Sequence, residues 1–193
     1  MDYIDDNKLK KLKKDIGKER YLHSLNVVKV AKELGKRYNC DLKKCEIAAL
    51  YHDCGKLIPF QRQIDKLKEY NISLDQEILD AKPIVHAYLG AYIAKNEYGI
   101  IDTEILNAIK YHTIGRENMT MLEKIIFVAD FIEPNRSFEG VEKLRNLAFE
   151  NLDKTVYEGV KQNIIFIVNS DYYIYEPAIK IYNHLRSKNY ESI

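Results

Sequence analysis

Residues 50–59 read LYHDCGKLIP: an apolar helical run ends in His52 and Asp53, and Gly55 and Lys56 follow at once. An imidazole beside a carboxylate, placed where the core residues Ala48, Ala49 and Leu50 stop, is costly to bury without a partner. A metal ion is one partner that satisfies both groups. The doublet therefore asks what else in the chain converges on the end of this helix.

Helical periodicity dominates on both sides of it. Within RYLHSLNVVKVAKELGKRYN, residues 20–39, Leu22, Leu25, Val28, Ala31, Leu34 and Tyr38 recur at three to four residue spacing and predict a long amphipathic helix. Asp41 is the expected N-cap of the helix that leads through Ile47 and Leu50 to His52, and Gly55 and Pro59 end it in a loop. Ser73 and Gln76 fit a capping box, Pro83 opens a helix carrying His86 that Gly99 closes, and Asp102 caps the helix running to His112. Thr120 and Glu123 form a second capping box, for MLEKIIFVADFIE, which Pro134 stops. Further helices are expected over about 141–151, 153–168 and 176–188. IIFIV at 164–168 has strand character, yet nothing else offers a strand to pair with it. The fold class is all-α, with no repeats or long linker.

At 193 residues, 46% hydrophobic and 31% charged, the chain has enough apolar material for one domain, read as 1–193. Its 30 basic and 29 acidic side chains give a formal net charge of +1, hence no general attraction to a nucleic-acid backbone or an anionic membrane. No apolar signal segment or run of about 20 apolar residues occurs, so a cytoplasmic protein is expected; KLKKLKK at 8–14 reads as a solvated helix face. Cys40, Cys45 and Cys54 form no CxxC and read as reduced thiols, with Cys54 a packing residue.

Of five histidines, four stand in comparable settings: His23 inside a helix, and His52, His86 and His112 within or ending apolar helical segments. Asp130 lies in the apolar IIFVADFI and needs compensation for its charge. Any one of them alone reads as a core residue bonded to a carbonyl; the joint pattern reads as a metal site. Imidazole and carboxylate together suit iron, manganese, cobalt or zinc, whereas magnesium and calcium prefer oxygen ligands. Six side chains exceed what one catalytic ion takes, so two ions bridged by a carboxylate fit better, with Asp53 the candidate bridge.

The order His23, His52-Asp53, His86, His112, Asp130 resembles the HD-domain metal-dependent phosphohydrolase superfamily. More narrowly, HDCGK, VHAYLGAY, IKYHTIGRENMTMLEKIIFVADFIEPNR and GVEKLRNLA are similar to the YqeK family of bacterial HD proteins, over about residues 20–148. The resemblance implies an HD-domain helical bundle, a dinuclear centre, commonly iron, and symmetrical hydrolysis of diadenosine tetraphosphate to two ADP. By matching positions, His23, His52, Asp53 and Asp130 would hold one ion, and His86, His112 and Asp53 the other. ADP or GDP would be product-like ligands.

Such cleavage needs a nucleophile at neutral pH, which a bridging water acidified by two metals supplies. Asp53 and Lys56 are the candidate catalytic pair, with Lys56 on the scissile phosphate. The chain holds 23 Lys and only 7 Arg, yet Arg116 follows His112 by four positions and Arg136 follows Asp130 by six. The planar guanidinium fork binds phosphate bidentately, so both are read as polyphosphate clamps, with Thr113, Gly115 and Asn135 completing the cradle. The tyrosine cluster DYYIYEP at 171–177 reads as packing, and His184 stands outside every motif. Alternatives are hydrolysis of another nucleotide (a deoxynucleoside triphosphate or cyclic nucleotide) and a non-catalytic purine-nucleotide sensor. A homodimer is the base-rate expectation for assembly.

Overall fold

The periodicity of residues 20–39 becomes α2 (Lys18–Arg37), whose Val27, Val30, Ala31 and Leu34 are buried at the expected three to four residue spacing. The structure, a computed structural model, describes residues 3–190. Gly17, at φ +84°, separates α2 from α1 (Asp6–Ile16), which buries Leu12 and Ile16 and turns most of its lysines to solvent. Asp41 caps α3 (Leu42–Tyr51) by accepting from the amides of Lys43 and Lys44 at 2.8 and 3.1 Å.

Pro83 sits in the first turn of α6 (Lys82–Tyr98), closed by left-handed Gly99; Asp102 caps α7 (Thr103–Tyr111), and the Thr120–Glu123 box opens α8 (Met121–Ile132). The chain continues through α9 (Val141–Glu150), α10 (Leu152–Asn169) and α11 (Glu176–Tyr190). IIFIV lies inside α10, and the described residues contain no strand, so the all-α expectation holds. α3 and α8 pack against each other and each against both α2 and α7 as the central group, with α6 against α7, while α10 covers α8 and carries α9 and α11. No helix among the described residues is long and apolar enough to cross a membrane.

Two local readings change. The Ser73–Gln76 capping box does not form: the chain stays extended through Asp75, and α5 (Gln76–Asp80) starts there with no side-chain cap. The segment after Pro59 is no mere loop, since α4 (Gln61–Glu69) occupies most of it. Its short, charged sequence offers only Ile64 and Leu67 as apolar anchors, too few to display a helical period.

One contact explains the glycine of HDCGK. A Cβ on Gly55 would lie 2.2 Å from the His86 carbonyl oxygen and 2.5 Å from the Gly90 amide nitrogen. The turn that follows Asp53 thus presses directly on the backbone of α6, and this brings the two histidine-bearing segments together. Cys54, buried beside it, donates its thiol to the Gly90 carbonyl at 3.2 Å, as befits a packing residue.

Candidate metal centre

His52 and His112 occupy the same local position, the C-cap of α3 and of α7. The last carbonyls of a helix lack intrahelical partners. Each imidazole fills that need for its own helix, Nδ1 lying 2.7 Å from the carbonyl oxygen three residues back, Ala49 for His52 and Ile109 for His112. A carbonyl only accepts, so the proton is on Nδ1 and Nε2 keeps a lone pair directed inward. The helix ends thereby set the tautomer a metal ligand requires.

Asp53, 2% exposed, stands between two groups of donors. Its Oδ2 lies 3.5 Å from His52 Nε2 and 3.8 Å from His23 Nε2; its Oδ1 lies 3.1 Å from His86 Nε2 and 3.6 Å from His112 Nε2. Asp130 Oδ1 approaches His23 Nε2 at 3.0 Å and His52 Nε2 at 3.9 Å. His86 and His112 bring their Nε2 atoms to 3.2 Å of one another. All six residues expected as ligands converge. Two subsets, His23-His52-Asp130 and His52-Asp53-His112, have ligating atoms within 4.8 Å of each other.

The donors fit a transition metal. For all these close approaches, His23 Nε2, His52 Nε2 and Asp53 Oδ1 are buried and make no hydrogen bond of good geometry, an arrangement that costs free energy unless a cation completes it. Burial drives the His86 pKa down to about 4 despite the attraction of Asp53, so its lone pair is available at neutral pH. Burial acts to raise Asp53 and Asp130, yet His52 and Lys56 beside the first, and His23, His52 and Arg136 beside the second, hold both carboxyls well below the usual range.

A cavity of about 590 Å³ opens on this cluster, lined by His86, His112 and Asp130 and by Lys56, Thr113 and Arg136. Lys56 Nζ is 4.0 Å from Asp53 Oδ1, and Arg136 grips Asp130 through its carbonyl at 3.0 Å and Oδ1 at 2.6 Å. The other expected phosphate contacts are not brought here. Arg116 donates from Nε and Nη2 to Glu123 Oε1 at 3.1 and 3.0 Å, neutralising a carboxylate only 1% exposed, and with Gly115 it lines a separate cavity of about 690 Å³. Asn135 is exposed in the turn after α8 and lines neither.

Two residues absent from the sequence reading complete the centre. Arg20 Nη1 donates to Asp53 Oδ2 at 2.9 Å from one turn before His23, and as one of only 7 arginines in the chain it carries the same compositional signal as Arg116. Glu133, 2% exposed, places Oε1 3.3 Å from His23 Nδ1, while its Oε2 accepts from the Asn135 amide at 2.9 Å. Carboxylates behind ligating histidines set ring orientation and basicity. Glu133→Gln is expected to weaken metal binding about 10- to 100-fold, read by competition with a calibrated chelator, with the helical fold unchanged by circular dichroism.

Converging His, His-Asp, His, His and Asp side chains on a helical bundle define the HD class, and the HD domain family model matches residues 20–135. The chain belongs to the HD-domain family. It is 38% identical over 177 residues to the symmetrical bis(5'-nucleosyl)-tetraphosphatase of Bacillus subtilis, covering 91% of this chain and 94% of that one. A protein of the same name from Staphylococcus aureus is 38% identical over 180 residues, 92% of each chain. A crystal structure from Clostridium acetobutylicum, described as an HD superfamily hydrolase involved in NAD metabolism, superposes with a TM-score of 0.89 at 36% identity, covering 96% of this chain and 98% of its own.

Proposed function

We propose that this protein hydrolyses diadenosine tetraphosphate symmetrically: water adds across the central phosphoanhydride, and two ADP leave. The observation that carries the reading is Asp53, whose two carboxylate oxygens each face their own imidazoles, beside a cavity lined by His86, His112, Asp130, Lys56 and Arg136. Similarity to symmetrical tetraphosphatases across nine-tenths of the chain supports the choice of substrate.

In this reading His23, His52, Asp130 and Asp53 would hold one iron ion, and His86, His112 and Asp53 a second. Bound there, the ions supply an acidified water and neutralise phosphate charge. Lys56 binds the phosphoryl group under attack. Arg136 is oriented by Asp130 through Nε and Nη2, which leaves Nη1 to reach an adjoining phosphate. Thr113 offers a hydroxyl from the same cavity. Arg20 and Glu133 hold Asp53 and His23 in place.

Anion-exchange analysis of products after incubating the iron-loaded protein with diadenosine tetraphosphate tests the proposal. ADP as sole product, abolished by chelation, is expected. ATP plus AMP would refute the symmetrical cleavage, and absence of turnover would refute the substrate.

A further inference from the structure

The cavity on the metal centre is larger than phosphate groups need, and the rest of its wall has a different chemistry. Besides the ligands and cations it is lined by Phe131, Phe138 and Phe166, with the amides of Gln162 and Asn163 beside them. Phe131 is stacked parallel to Phe127, centroids 6.2 Å apart, and meets Phe138 at 5.0 Å and 58°. Gly159 on α10 makes room for this stack, since a Cβ there would come within 2.8 Å of Phe127 Cε1. These rings are built in.

Phe166 is different. It is 60% exposed, meets Tyr172 in a tilted contact at 6.2 Å, and leaves aromatic surface to solvent where it lines the cavity. Two polar observations accompany it. Asn163 Nδ2 donates to the Thr113 carbonyl at 3.0 Å, tying α10 to the turn directly after His112. Thr113 Oγ1 is buried without a partner.

A ligand suited to this wall has a flat apolar face and an edge carrying donor and acceptor together, joined to an anionic end that reaches the metal residues. A nucleotide has that form. The side-chain amide of Gln or Asn matches the N6 and N7 edge of adenine, and aromatic rings stack on the base face. We propose that this aromatic and amide slot seats one adenine of the substrate, with Phe166 stacking on the base and Gln162 reading its edge. The inference rests on the nucleotide-hydrolase reading above and adds to it the groups that recognise the base.

The test compares ADP with inorganic pyrophosphate as calorimetric ligands of the metal-loaded protein, wild type against Phe166→Ala and Phe166→Leu. The exposure of Phe166 makes both substitutions compatible with folding. Loss of one base stack weakens ADP roughly tenfold or more, while pyrophosphate, lacking a base, binds as before. Leucine keeps apolar bulk without a π face and is expected to behave as alanine does. Equal ADP affinity in all three proteins overturns the slot, as does parallel weakening of ADP and pyrophosphate, which would place the effect at the metal end.

These outcomes separate from failure of the hydrolase reading. Wild-type protein that leaves diadenosine tetraphosphate intact, with ADP affinity still lost selectively in the Phe166 variants, sinks the hydrolase and sustains the slot. Symmetrical cleavage with unchanged KM in the Phe166 variants, alongside unchanged ADP binding, does the reverse.

Discussion

Asp53→Ala is expected to abolish turnover of diadenosine tetraphosphate and to lower the metal content of the purified protein. Asp53 faces both His23-His52 and His86-His112, so its removal withdraws a donor from each group at once. Metal coordination lowers the pKa of water from about 15.7 to about 7, and loss of that activation corresponds to a rate decrease of at least about a thousandfold. Metal analysis by mass spectrometry and product analysis are run on the same preparation. Full metal content with wild-type rate would show that the two imidazole groups need no shared carboxylate, and the assigned centre would fall.

The second large effect is structural. Gly55→Ala is expected to destabilise the fold by about 3 kcal/mol or more, because the added methyl meets backbone atoms of α6 that have no rotamer to change. For a chain of this length that lowers Tm by roughly 6–12 °C. Relief of the clash requires the turn after Asp53 to move off His86, so metal content falls too. Gly90, on the opposite side of the same contact, is the internal control. A Cβ there meets its nearest atoms only at 3.4 Å, which is ordinary van der Waals contact, and Gly90→Ala should stay near wild type. Equal Tm values for the two variants would contradict the close approach.

The helices and the six side chains that converge on the candidate centre were legible in the sequence because each carries a local or compositional signal. The period of residues 20–39, the cap residues Asp41, Asp102 and Thr120, and histidines at apolar helix ends all stand out without a structure. α4 was not legible, since two apolar residues in nine leave no periodicity to detect. Arg116 was read as a phosphate clamp from its spacing to His112. Spacing alone does not reveal that the Glu123 carboxylate, committed to the Thr120 cap, is buried beside it and takes the guanidinium instead. Glu133 and Arg20 act across 110 and 33 residues of chain, and no local pattern announces such a partner.

The clasp made by Arg145 carries a consequence for transplanting the centre. From α9 its guanidinium donates to the carbonyls of Ile132 and Glu133 at 2.9 Å and of Arg136 at 2.8 Å, so one side chain knits the bend that carries Glu133 and aims Arg136. The family match ends at residue 135, ten residues short of that clasp. A graft carrying only residues 20–135 onto another helical scaffold would bring every candidate metal donor and still leave the bend unmoored. The portable unit is set by where the last carbonyl is held, and it extends into α9.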